Sequence, residues 1–594
     1  METGERVGFW RHEPDATRRL RAFLEQPEAT FIGFNNRSFD DVVATAFCSG
    51  KTEQEIKTIA NDIIVNRLPS CQAVRKHRLQ PLNFDSIDLI EVAPSFVGLK
   101  AYGSRLHMPL IQDMPLAHDK EIHTPEQERM VESYCDNDVD TTEALLKKLE
   151  KEMLLRVSMS KLYGVDMRSK SDSQMAEQAY ISSMGLRRRE NRIPDTIRYA
   201  PPAYLKFQTP ALQELLERVT ETVFAMNPAT GHVRLPDFLG KEVICFGSGT
   251  YQLGIGGIHS THDKSVCHTA SADYVITDID AESFYPSLIL LCNMYPESVG
   301  PAFISEYRKI YDKRIEAKHT GDKATNETLK ISLNGTFGKL ASRYSVLYAP
   351  ELMLATTLTG QFTLLMLIEW LEHVGAVTLS ANTDGIAVGF TKSLQPAVDE
   401  VVAKFSERTG LKFEFTPYRV LAMKDVNNYL AVKPDRKIKE KGIYAPLSLK
   451  KNPTAGVCAI AVGQWLAYGT PFLETIKNAG FQDFLSARNV TGGGTQNGEY
   501  LGKVVRWYQS TDRTLEPLKY ASNGNKVPKT EGARACMQID LAAGHPADLD
   551  YDWYLREAIK IAVLLGCERY LPAEQLELIA EPQKQKRKRK NETA

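Results

Sequence analysis

Two hydrophobic periods alternate along the chain, and the points where one gives way to the other mark its elements. Leu20, Phe23 and Leu24 fall on one face of a helix that Asp15 is placed to cap. The apolar run Thr30 to Phe34 has the length of a buried strand. Asn35 and Asn36 end it, and Phe39 to Phe47 follows with helical spacing. Strand, polar turn and helix together predict an α/β layer. A second helix carries Tyr134 to Lys148, and residues 166 to 245 mix helices with joints at Pro194, Pro201, Pro202 and Pro210. From Val275 the pattern VITDID alternates with period two, as in a half-buried strand, and puts Asp278 and Asp280 on one face. The chain then turns at SFYPS, with Pro286 suited to the first turn of a helix. Helical spacing dominates 300–342 and 351–373. VTLS and IAVGF are strand-like arms of a hairpin turning at Thr383. The final stretch is mixed, with a Gly-rich loop expected at Gly492 to Gly494. No internal repeat of fixed period is present.

The chain has 594 residues, enough for about three to five compact units. A formal net charge of −1 excludes a whole-chain basic excess. Any nucleic-acid surface must therefore come from local clusters, at 308–318, 433–441 and 584–590. The last cluster, KQKRKRK from Lys584 to Lys590, reads as a disordered basic tail. The nine cysteines form no CxxC pair and no apolar signal core opens the chain, so reduced thiols and a cytoplasmic setting are expected. The apolar helix Leu352 to Leu371 contains Thr356, Thr357, Thr359, Thr363, Gln361 and Glu369. It reads as a core helix, and no membrane partner is expected. His259, His262, Cys267 and His268 lie close together on what reads as a hairpin, but their spacing matches no closed zinc site.

Three segments carry chemistry. Asp280 ends its strand beside a helix start, a good place for a hard cation. In KISLNGTFGK, Lys330, Asn334 and Phe337 stand at i, i+4 and i+7, one helical face offering a cation, an amide and a ring to a triphosphate, a sugar and a base. Arg314 and Lys318, also i and i+4, add charges for phosphate oxygens. In SANTDGIAVGF, Asp384 sits at a hairpin tip and can project toward Asp280. Two facing carboxylates beside a phosphate-binding helix are the layout of two-metal phosphoryl transfer, and oxygen ligands favour magnesium.

In this order the segments resemble motifs A, B and C of family B DNA polymerases, which read roughly DxxSLYPS, KxxxNSxYG and YxDTDS. Asp280, Ser283, Tyr285, Pro286 and Ser287 match the first; Lys330, Asn334 and Gly338 the second; Thr383 and Asp384 the third. The resemblance implies that Asp280 and Asp384 bind two magnesium ions, and that Tyr285 packs under the deoxyribose and excludes a 2′-hydroxyl. It implies that Arg314, Lys318 and Lys330 meet the triphosphate. GIGGIHS from Gly254 resembles the YxGG element between exonuclease and palm, with Gly254 for its tyrosine. Three departures stand out. Asn382 replaces the first aspartate of the third motif. Gly335 and Phe337 replace Ser and Tyr in the second. The KxY element for primer DNA is present only as Asn427, Asn428 and Tyr429, leaving Lys424, Lys439 or Lys441 to compensate.

Upstream, Asn36 to Asp40 (NRSFD) and Tyr134 to Asp138 (YCDND) resemble the second and third motifs of the family's 3′–5′ exonuclease, with Asp40 and Asp138 as metal ligands and Tyr134 orienting water. The first motif, DxE on a strand, is absent, so an impaired exonuclease is expected.

The expected fold is mixed α/β and multidomain. It comprises an RNase H-like exonuclease domain at 1–165 and a connecting region at 166–250. A right-hand polymerase follows, with its palm at 251–300 and 343–440, fingers at 301–342 and thumb at 441–580, then a basic tail at 581–594. The expected partners are primer–template DNA, deoxynucleoside triphosphates and replication accessory proteins. Asp280 and Lys330 lie too close in sequence for the inserted subdomains of protein-primed enzymes. The compact length resembles a bacteriophage enzyme working in a host bacterial cytoplasm. The rival classes are a nonenzymatic DNA-binding relic of the same fold, which the missing exonuclease strand, Asn382 and Asn427 favour, and a nuclease alone.

Overall fold

The computed structural model describes residues 4–117, 120–261 and 264–580. The basic tail, His262 and the first three residues lie outside them. The architecture is mixed α/β with several separate cores.

At its centre is a seven-stranded antiparallel sheet. Its spatial order is Phe413–Tyr418, Tyr274–Ala281, Gly385–Thr391, Val377–Asn382, His259–Thr261, Gly249–Gln252 and Ile244–Phe246. VITDID thus forms a central strand with partners on both sides. The apolar side chains of these strands, Ile279, Ile386, Val388 and Phe390 among them, share a core with the helices Pro350–His373 and Gln395–Thr409.

Helix Pro350–His373 is long and apolar enough to cross a membrane, but 83% of its most apolar window is buried inside the protein. Its buried polar side chains, from Thr356 to Glu369, all find hydrogen-bond partners. Thr356 and Thr363 bond back to the carbonyls of Leu352 and Thr359. The Gln361 amide donates to and accepts from the backbone of Gly254, both at 2.8 Å. Glu369 accepts the amides of Gln208 and Thr209. Buried polar groups satisfied this way cost the core little.

The helices Ala302–Thr320 and Lys323–Leu340 form a hairpin turning at Gly321 and Asp322. The second packs on helix Asp172–Met184. Gly335, which stands where the family pattern has Ser, is where they touch. A Cβ there would lie 2.8 Å from the Cβ of Ala176, so only glycine permits the approach.

A four-stranded sheet, in the order Ile438–Glu440, Asn428–Val432, Val420–Asp425 and Val266–Thr269, joins the C-terminal helices Val457–Tyr468 and Tyr551–Leu564 in one core. Here the hairpin expected for the His/Cys group is corrected. His259 lies in the seven-stranded sheet, whereas Cys267 and His268 lie in this one. Gly492 to Gly494 is not a loop either. It interrupts the long strand Ser486–Gln496 as a bulge, with Gly492 and Gly493 at φ 79° and 90°.

The N-terminal region carries the parallel pair Thr30–Gly33 and Asp85–Asp88 with flanking helices. Among the described residues these are the only two strands of that layer. Asp15 stands at the cap of helix Ala16–Leu24, but its carboxylate pairs with Arg18 instead of the backbone. The region is tied to the C-terminal part by Arg506. This fully buried guanidinium donates to the carbonyls of Met108, Pro109, Cys536 and Met537.

Candidate active site

The strand Tyr274–Ala281 and the hairpin Val377–Thr391 bring the predicted carboxylates together by register. Gly385 is the direct cross-strand partner of Asp280, and Asp384 precedes it at the turn. The Ala281 amide donates to the Asp384 carbonyl at 2.9 Å. The turn is tight: Thr383 has φ 54°, an uncommon conformation for a β-branched residue, and its amide donates to the Ile258 carbonyl. The GIGGIHS segment thus abuts the turn.

Gly385 occupies the position of the last serine of the third motif, a departure the sequence reading passed over. A Cβ there would overlap the Asp280 carboxylate. The glycine therefore leaves room for Asp280 to lie across the hairpin.

Asp278, Asp280 and Asp384 line one small cavity of about 50 Å3 with Asn382, Tyr418, Tyr429, Lys439 and Lys441. Burial, then repulsion from Asp278, raises the Asp280 pKa to about 6; Asp384 adds to the rise and Lys439 opposes it. Asp384 keeps much of its surface open at the tip, yet the protein around it raises its pKa too, against the pull of Lys441. Asp278 is engaged: it accepts from the Tyr418 hydroxyl at 2.9 Å and from Lys439 Nζ at 3.2 Å. Lys439 lies over the rings of both Tyr418 and Tyr429. Of the three lysines offered as compensation, Lys439 and Lys441 line the cavity, while Lys424 is exposed on a neighbouring strand.

The remaining predicted residues divide. The Tyr285 ring stacks on Phe337 at 4.7 Å and 17°, and its hydroxyl donates to the Gly256 carbonyl at 2.8 Å. Arg314 donates to the Ser283 hydroxyl. Lys318 bridges Glu282, at 2.6 Å, and Glu414, so its charge is already answered by two carboxylates. Lys330 and Asn334 are exposed on the face of helix Lys323–Leu340 that also carries Phe337.

A second carboxylate group sits in the N-terminal region. Asp40 and Asp138 line a cavity of about 360 Å3 with Glu5, Arg6, Asp140 and Glu143. Asp40 keeps more than a third of its surface, yet the crowding of protein atoms around it, followed by repulsion from Asp41, Asp88 and Asp138, raises its pKa to about 6. Lys100, which sequence reading missed, donates to the Tyr134 hydroxyl at 2.7 Å and to Asp138 at 3.2 Å. Arg6 pairs with Asp136 and Asp140. Asn36 is not a cavity residue: it is buried and bonded to Ser86 and Asp41.

Among the described residues, no three His, Cys, Asp or Glu side chains stand close enough to hold a metal ion by themselves. The oxygen-only pair Asp280 and Asp384 fits a hard cation that would complete its shell with substrate oxygens and water.

No family model matches this chain. The DNA polymerase 1 of Sulfurisphaera ohwakuensis is 23% identical over 145 residues, 23% of this chain and 16% of that protein. The structure of the family B DNA polymerase from the hyperthermophilic archaeon Pyrobaculum calidifontis covers 92% of this chain and 71% of its own. The identity there is 13% and the TM-score 0.40. The chain is thus distantly similar in sequence to an archaeal DNA polymerase, over a segment that is a small part of that protein.

Proposed function

We propose that the chain is a DNA-directed DNA polymerase of the family B type, adding deoxynucleotides to a primer 3′-hydroxyl. The observation that carries this reading is the cross-strand placement of Asp280 beside the Asp384 turn, with both carboxyls held above their ordinary pKa in one cavity. Carboxylates crowded in this way are poised to bind positive charge. Magnesium held by Asp280 and Asp384 would acidify the 3′-hydroxyl and neutralise the triphosphate and leaving pyrophosphate.

The chain's own groups do the rest. The stacked pair Tyr285 and Phe337 forms a wall for the sugar and base. Lys330 and Asn334 offer exposed donors on the same helical face, and Arg314 anchors Ser283 at the start of the motif A helix. Lys318 would meet phosphate only after exchanging its carboxylate partners, so its part is secondary to that of Lys330. Lys439 and Lys441 bring positive charge to the primer side of the cavity. The domain limits given above as exonuclease, palm, fingers and thumb, and work in a cytoplasm, belong to this same proposal. In the N-terminal cavity, Lys100 already occupies Asp138, which supports a weak exonuclease.

Primer extension on a primed template with magnesium and four deoxynucleotides tests the reading. The parent chain extends the primer, and Asp280→Asn binds DNA without extending it. Normal extension by that variant would overturn the assignment.

A further inference from the structure

Two of the residues that break the family pattern, Asn382 and Asn427, lie 45 positions apart in sequence and meet in space. Asn382 ends the strand Val377–Asn382, two residues before Asp384. Its Nδ2 donates to the Val426 carbonyl at 3.2 Å and to Asn427 Oδ1 at 3.3 Å. Its Oδ1 accepts from the Thr383 hydroxyl at 3.0 Å. Asn427 sits in the turn between the strands Val420–Asp425 and Asn428–Val432, which belong to the other sheet. That turn is rigidly held. Asp425 accepts from the Asn427 amide at 3.0 Å and from Asn428 Nδ2 at 2.8 Å, and Asn428 Oδ1 accepts from the Ile443 amide. The contact therefore joins the tips of two hairpins from different sheets, and one of those tips carries Asp384.

The chemistry of the contact restricts what can stand there. Position 382 must donate to a carbonyl on one side and accept from a hydroxyl on the other, which an amide does and a carboxylate does not. An aspartate at 382 would set an oxygen against the Val426 carbonyl, acceptor against acceptor, and would force the Asn427 amide to turn over to donate to it. A lysine at 427 would supply the missing donor and the opposite charge. Either change alone disturbs the contact as it stands, and the two together put a charged donor opposite a charged acceptor.

We infer that Asn382 and Asn427 act as one uncharged positioning pair, which fixes the Asp384 turn against the neighbouring hairpin. The pair takes the place of the aspartate and lysine that the family pattern has at these two positions. This inference rests on the polymerase reading and deepens it: two of the departures that favour an inactive relic are one compensated exchange.

A double-substitution cycle on the full chain tests it, with Asn382→Asp, Asn427→Lys and the two combined. In single-nucleotide extension, Asn382→Asp is expected to lower kcat about tenfold with little change in nucleotide KM, since an acceptor facing the Val426 carbonyl misplaces the turn. The double variant is expected to recover to within about threefold of the parent. Thermal unfolding without magnesium runs the same cycle independently of activity, and the double variant should melt above the sum of the single losses. Additive effects in unfolding would overturn the pair. Coupling in unfolding with additive losses in kcat would overturn its positioning role. A parent chain that extends no primer would sink the polymerase reading, and the unfolding cycle alone would then decide whether the two residues act as a unit.

Discussion

Asp280 and Asp40 both carry a pKa raised to about 6, from an ordinary carboxylate value, by protein packed around them and by neighbouring acids. Their company differs. Asp280 shares its cavity with Asp384, a carboxylate delivered at close register by a hairpin; of the cavity lysines, Lys439 pairs with Asp278 and Lys441 pulls on Asp384, but among the described residues neither forms an ion pair with Asp280 or Asp384. Asp40 faces Asp138, which Lys100 already holds. A carboxylate pair with no ion pair of its own is open to a cation; a pair in which one member is salt-bridged is partly satisfied by the protein itself. A perturbed pKa alone does not separate the two sites, and the nearest basic side chain does.

The largest test of this contrast is Asp384→Asn. Extension should fall by at least about 1,000-fold, roughly 4 kcal/mol of barrier, in single-turnover assays. A loss of the same size on Asp138→Asn would erase the distinction between the cavities. Gly385→Ala comes next. Its Cβ displaces the Asp280 carboxylate, and a shift of that kind should lower kcat by up to about 100-fold. Unchanged kcat would show that Asp280 does not need to lie across the hairpin.

Tyr285→Ala should raise ribonucleotide use relative to deoxyribonucleotide by about tenfold or more in competition, because the wall stacked on Phe337 is removed. Unaltered sugar discrimination would move the gate elsewhere. Acidity gives a smaller and graded effect. Asp280 must be ionised to hold a cation, so extension should decline as pH falls through about 6, and more magnesium should move the decline to lower pH. For stability the sign is opposite. The folded pKa lies above the unfolded one, so ionisation costs the fold above about pH 6 and the cost is relieved as pH falls toward 4. Metal-free Asp280→Asn should therefore melt higher than the parent at pH 8, with the gap closing toward pH 5. A gap independent of pH would remove Asp280 from this account. The smallest expected signal is at the other cavity, where the parent chain should degrade a mispaired primer end more slowly than it extends a paired one. Rapid degradation abolished by Asp138→Ala would break the contrast.

Local pattern carried much of this in the sequence. Period two along VITDID, turn residues around Thr383 and helical spacing at Lys330, Asn334 and Phe337 each appear as the strand, hairpin and helix face expected. What local pattern does not encode is which distant side chain answers a charge. Lys100 lies on the helix Leu99–Arg105 and meets Asp138 on another; Lys439 meets Asp278 across sheets. Lys318 matched a phosphate-binding spacing, yet Glu282, in the turn after one strand, and Glu414, on the neighbouring strand, neutralise it, which the spacing cannot reveal. Gly492 to Gly494 has loop composition but lies in a strand, because a bulge uses the same left-handed backbone as a turn.

Template-directed addition by the unaltered chain tests the central claim most directly. Four primed templates that differ only in the next base are each offered the four deoxynucleotides one at a time, with magnesium. The account predicts addition of the complementary nucleotide on every template, and no addition with magnesium withheld. Tight DNA binding with no addition on any template, or addition indifferent to the template base, would contradict it.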